Sequence, residues 1–156
     1  MDVFDLQAGA NISDARDPQR SRFEWPVRVY YEDTDAGGLV YHANYLKFLE
    51  RARTERLRAF GFEQDELQRR EGIVFAVKSV EVNYLKPARF NDALLVTADF
   101  DEVKHVSMAF NQRVLRVTDS RQTLCLARVR VVCLGAADLG LRPIPESLLL
   151  RMRDDI

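Results

Sequence analysis

Two carboxylates, Asp33 and Asp35, stand just ahead of the glycine pair Gly37 and Gly38; Tyr41, His42, Asn44 and Tyr45 follow and open a helical pattern. Glycine lets the chain turn sharply between the two groups. A helix start carries free backbone N–H groups and the positive end of the helix dipole. An acid held against such a start has the two parts that acyl hydrolysis needs. The carboxylate attacks or activates water, and the N–H groups around Val40 to His42 hold the charge that develops on oxygen. On spacing alone Asp35 is as readily a turn or N-cap residue, and His42 as readily an aromatic filler. Asp33, one strand step earlier, reads as structural.

The surrounding pattern predicts the elements that position these residues. From Arg22, strict alternation places Phe23, Trp25, Val27, Val29 and Tyr31 on one face of a strand, and Pro26, which lacks a ladder donor, assigns it to a sheet edge. Tyr45, Phe48, Leu49, Ala52 and Leu57 give a helix over 43–59, closed by Gly61. A short polar helix over 63–71 ends at Gly72. The period then becomes two, predicting strands over 73–85, 93–104, 106–117 and 123–134, and the proline-containing tail predicts one helical turn. Short connections favour antiparallel neighbours. The fold class is therefore α+β, with a long central helix wrapped by a five-stranded antiparallel sheet, whose open edges a second copy of the chain can pair. Residues 1–21 lack any period and read as a flexible tail ahead of a single domain over 22–156.

Composition narrows the function classes. A chain of 156 residues builds one core without metal or disulfide support. Its net charge of −1, with the two signs intermixed, gives no basic field for nucleic acid. Cys125 and Cys133, in one predicted strand, sit roughly 26 Å apart and cannot bridge. Two unpaired thiols and no leader pattern point to the cytoplasm, and no apolar run is long enough for a membrane span. Zinc spacing, phosphate-cradling glycine loops and the Gly-x-Ser-x-Gly elbow are all absent from the sequence; no metal or cofactor is expected. Lys86, Arg89, Lys104, Arg113 and Arg121 are candidates for phosphate contacts.

The block YYEDTDAGGLVYHANYLKFLERAR resembles the signature of the YbgC-type acyl-CoA thioesterases, within the 4-hydroxybenzoyl-CoA thioesterase family of hotdog-fold enzymes. The likeness continues through Gly72-Ile73-Val74-Phe75, Asn83-Tyr84-Leu85-Lys86-Pro87-Ala88 and Phe110-Asn111-Gln112. It implies a hotdog fold and hydrolysis of an acyl-CoA thioester, with Asp35 as the catalytic carboxylate and His42 at the carbonyl; Tyr41 and Asn44 would line the substrate pocket. It also implies a homodimer or homotetramer, and an acyl carrier protein or lipid-synthesis enzyme as a partner. Asn91-Asp92 stands where two aspartates are common, and the N-terminal extension is longer than the family's. Two other readings stay open. One is a non-catalytic acyl-carrier or lipid-enzyme binding module on the same fold. The other is a haloacid-dehalogenase-type phosphatase, which also opens on Asp-x-Asp but needs a parallel sheet.

Overall fold

The computed structural model describes residues 23–118 and 120–156. The proposed tail, 1–21, lies outside the described residues. The elements run β1 (Glu24–Arg28), a 3-10 turn (Tyr31–Asp33), α1 (Asn44–Ala59), α2 (Gln64–Glu71), β2 (Ile73–Tyr84), β3 (Ala93–Thr97), β4 (Asp99–Val103), β5 (Ser107–Arg116), β6 (Gln122–Gly135) and α3 (Glu146–Arg153). All strand pairs are antiparallel, in the order β1-β3-β5-β6-β2, with β4 also on β5. The expected α+β arrangement of one long helix wrapped by a sheet is what forms. Because no strand pair among the described residues is parallel, the phosphatase reading fails.

The helix forms where the stripe predicted it. Tyr45, Phe48, Leu49, Ala52 and Leu57 are buried against the sheet, and Lys47, Glu50 and Arg51 are exposed. Gly61 (φ 90°) and Gly72 (φ 66°) end α1 and α2 in the left-handed region, where a β-carbon is strained. Phe48, Phe100, Phe110, Leu49, Leu94, Leu124 and Leu148 are the large side chains at the centre of the core. One buried polar group crosses it. Gln112 donates to the carbonyls of Leu49 (3.1 Å) and Thr97 (2.9 Å) and accepts from Arg53 (2.9 Å), so α1, β3 and β5 share one satisfied amide.

Four expectations need correction. The strand expected over 93–104 is broken at Ala98, giving six strands among the described residues rather than five. At the break, side chains replace ladder bonds: Arg113 N–H donates to Thr97 Oγ1 (2.8 Å) and the Gln112 amide takes the Thr97 carbonyl. The first strand stops at Arg28, and the 3-10 turn rotates Tyr31 outward to 76 % exposure. β1 does lie at the edge, as Pro26 required. Joined by only eight residues, β2 and β3 are nevertheless not neighbours, because β2 pairs β6 while β3 pairs β1 and β5. The connecting segment instead runs across the end of the sheet: Leu85 N–H bonds Leu124 O (2.8 Å) at one end and Asn91 N–H bonds Val29 O (3.0 Å) at the other. The C-terminal turn is a helix of 8 residues, with Leu148, Leu149 and Met152 buried.

Candidate active site

The segment between the 3-10 turn and α1 folds back on itself. Tyr41 N–H bonds Asp33 O (2.9 Å), Asp35 N–H bonds Leu39 O (2.8 Å), and Thr34 bridges Val40, so Asp33 to Asp35 run antiparallel to Leu39 to Tyr41. The turn closes through Gly38 N–H to Asp35 O (3.0 Å), with Gly38 at φ 78°. Asp35 is exposed, and its Oδ1 accepts the Gly37 N–H at 2.8 Å, with Leu39 N–H further off at 3.4 Å. A β-carbon on Gly37 would stand 3.2 Å from that oxygen, which explains a glycine here. Among the described residues no donor reaches Oδ2. The carboxylate is thus held at one oxygen and open at the other.

Asp33 does the holding. At 5 % exposure, it accepts Tyr30 N–H (2.8 Å) and Asn44 Nδ2 (2.8 Å), tying the exit of β1 to the first residue of α1. This is the structural role its position suggested. Asn44, named above as pocket lining, is itself buried and spends its amide on that carboxylate. Tyr41 is half exposed, with its ring 4.6 Å from the exposed His42 ring. Two tyrosines to which the sequence reading gave no role at the site fix the helix start. Tyr84 donates its hydroxyl to His42 O (2.7 Å), and the buried Tyr45 hydroxyl accepts Ala88 N–H (3.0 Å). The sole sequence signal for either was an aromatic at a strand or helix end.

Of the backbone donors expected around Val40 to His42, two are already used: Val40 bonds Ala88 O (2.9 Å) and Tyr41 bonds Asp33 O. The N–H groups of His42 and Ala43 have no acceptor among the described residues. Those two, at the start of α1, are the donors available to a developing oxyanion.

Other candidates separate cleanly. Lys104 pairs with Glu102 (3.1 Å), Arg121 pairs with Glu24 (2.8 Å), and Arg113 is buried. Lys86 and Arg89 are exposed, on the segment whose residue Arg89 bridges Leu39 of the Asp35 loop. Cys125 and Cys133 are free and buried in β6; burial pushes their thiols up to about 12 and about 11, so neither is a nucleophile at neutral pH. His105 sits in a turn beside a cleft of about 650 Å³ lined by Glu71, Ile73, Arg142 and Glu146. That cleft is at the Ile73 end of β2, roughly 36 Å along the strand from Tyr84, and is remote from the Asp35 loop.

A helix wrapped by an antiparallel sheet is the architecture of the class: residues 29–152 match the thioesterase-like superfamily, to which the chain belongs. Within that class it is a member of the YbgC acyl-CoA thioesterases. It is 42 % identical over 131 residues to the acyl-CoA thioester hydrolase YbgC of Escherichia coli, covering 84 % of this chain and 96 % of the relative. Against the acyl-CoA thioesterase YbgC of Haemophilus influenzae the identity is 46 % over 123 residues, covering 78 % and 86 %. The crystal structure of a probable thioesterase from Bartonella henselae superposes with a TM-score of 0.74 at 31 % identity, covering 78 % of this chain and 98 % of that one. The family expected from the Asp-Thr-Asp block is the family it belongs to.

Proposed function

We propose that this chain hydrolyses the thioester of an acyl-CoA to a free acid and CoA, with Asp35 as the carboxylate that attacks the carbonyl carbon or activates water. The single observation that carries this is an exposed Asp35, tethered at one oxygen, in the loop that runs into the unspent N–H groups of His42 and Ala43. In the water-activated course, Asp35 takes a proton from water as its oxygen bonds the carbonyl carbon. The carbonyl oxygen then carries a negative charge that the His42 and Ala43 N–H groups stabilise. Collapse of this intermediate breaks the C–S bond, and the thiolate leaves as CoA with the proton. In this reading the backbone of His42 acts, and its ring is secondary.

A homodimer is part of the same reading. β2 is a sheet edge with Val77 at 50 % and Val80 at 39 % exposure, an unpaired strand that a second copy would pair. No helix among the described residues is long and apolar enough to cross a membrane, and the two free thiols support a cytoplasmic setting.

The test is free-thiol release from short, long and aromatic acyl-CoA esters and from an acylated carrier protein, comparing wild type with His42→Ala and His42→Pro, each confirmed folded by its melting curve. Removing one oxyanion donor costs about 10²–10³ in rate. His42→Pro, which lacks the N–H, should lose that much, and His42→Ala should keep most of the rate. Equal loss in both variants would move the role from backbone to ring. Absence of thiol release by wild type from every ester would leave the non-catalytic binding module.

A further inference from the structure

Two peptides carry the donors left at the start of α1, and in both the carbonyl oxygen is engaged. The N–H of His42 shares its peptide with the Tyr41 carbonyl, which accepts the Asn44 N–H at 2.8 Å. The N–H of Ala43 shares its peptide with the His42 carbonyl, and that oxygen accepts the Tyr84 hydroxyl at 2.7 Å. Among the described residues no backbone N–H reaches the His42 carbonyl, because Leu46 N–H turns instead to Ala43 O (3.2 Å). One donor peptide is thus fixed by the backbone of the helix start and the other by a side chain from the sheet.

Tyr84 is itself held from several sides. It is the last residue of β2 and pairs across to Cys125; the chain beyond it stays on β6 through Leu85 and Lys86 N–H to Leu124 O (2.8 and 3.1 Å). Its ring meets the buried Tyr45 ring edge-on, with centroids 5.3 Å apart. Burial raises the Tyr84 hydroxyl above the ordinary tyrosine range, so it remains a protonated donor at neutral pH. His42, in contrast, is exposed and lies ahead of the first helical residue. The sheet therefore holds the hydroxyl, and the hydroxyl holds the peptide.

We propose that Tyr84 is a positioning residue for thioester hydrolysis, orienting the His42–Ala43 peptide and strengthening the Ala43 N–H as an oxyanion donor. This rests on the acyl-CoA reading above and adds to it the side chain that tunes the oxyanion site. A trans peptide is planar, with C=O and N–H pointing opposite ways, so a hydroxyl that fixes the oxygen also fixes where the N–H points. Hydrogen bonds in series polarise one another, by roughly 10–30 % per bond. The Tyr84 proton draws electron density toward the His42 oxygen and leaves the Ala43 N–H a stronger donor. Without the hydroxyl this donor is weakened rather than lost, so the rate effect falls short of the about 10²–10³ that deleting a donor costs. A tyrosine acting by packing alone would have no such effect, since phenylalanine fills the same space.

The experiment compares wild type with Tyr84→Phe and with protein carrying difluorotyrosine, a more acidic and stronger donor, at position 84. Thiol release from an acyl-CoA at pH 6, where the analogue stays protonated, and the nitrogen resonance of the Ala43 amide are read on each, with melting curves confirming the fold. Tyr84→Phe should lower kcat several-fold at nearly constant KM, and the analogue should raise kcat above wild type. The Ala43 resonance should move in the same order, furthest downfield with the analogue. Equal kcat in all three proteins, or an Ala43 resonance indifferent to the substitution, would overturn the assignment while leaving thioester hydrolysis intact. A resonance that follows the donor, in a protein that releases no thiol from any ester, would uphold the hold of Tyr84 on the Ala43 amide and overturn the catalytic reading instead.

Discussion

Breaking the clamp between Asp33 and Asn44 should destabilise the protein well beyond the loss of an ordinary hydrogen bond. Asp33 is 5 % and Asn44 6 % exposed, so water does not replace a lost partner on either side. A hydrogen bond to a charged group contributes about 1.5–3 kcal/mol, and each buried polar group left unpaired costs about 1–3 kcal/mol. Asp33→Ala strands both the Asn44 amide and the Tyr30 N–H, giving a loss of about 3–5 kcal/mol against a typical domain stability of about 5–15 kcal/mol. Asn44→Ala leaves the carboxylate one donor, for about 2–3 kcal/mol. Urea unfolding followed by far-UV circular dichroism gives both values, with the slope expected to stay constant. The double variant should then cost less than the sum of the two, by about 1.5–3 kcal/mol. Single losses under about 0.5 kcal/mol, or additivity within about 0.3–0.5 kcal/mol, would refute a clamp.

Tyr84→Phe removes the hydroxyl that bonds His42 O and should lower kcat several-fold, with a melting temperature close to wild type, in the thiol-release assay. Arg56 is buried, with its guanidinium against Phe23, Phe60 and Phe100 and an ion pair to Asp155. Arg56→Ala should cost about 3–5 kcal/mol by urea unfolding because it leaves Asp155 without that charge; Arg56→Met, which keeps the packing, should cost less. The thiols of Cys125 and Cys133, pushed up to about 12 and about 11, are raised in the fold. Their contribution to stability is therefore complete below the unfolded thiol range, about pH 8.5, and is lost as pH rises through about 11 to 12. Urea midpoints should fall steadily above pH 9, and a thiol reagent at pH 8 should label the folded protein slowly. Fast labelling of folded protein would contradict the burial.

The candidate site could be proposed from the sequence because its parts are contiguous. Asp35, the glycine turn and His42 lie within one short stretch, and the helix stripe after them has a period that needs no tertiary information. The strands were legible for the same reason. What the local pattern does not carry is partnership. Nothing in 73–92 says that β2 pairs β6, the last strand, rather than β3, the next. Arg56 has the look of a helix-end cation favourable to the dipole, and its burial depends on Asp155, far along the chain. Asn44 sits where a pocket residue would and is occupied by Asp33. The break at Ala98 follows from Thr97 and Gln112 meeting across two strands, and that meeting exists only once the sheet has formed.

The central claim is that Asp35 carries the hydrolysis, and Asp35→Asn tests it most directly. The amide keeps the size of the side chain and an oxygen for the Gly37 N–H, so the loop should persist and the melting temperature should stay near wild type. The account predicts that thiol release from the best acyl-CoA ester falls by about 10² or more in kcat/KM, a loss of about 2.7 kcal/mol of transition-state stabilisation. A folded Asp35→Asn that turns over acyl-CoA at the wild-type rate would contradict it.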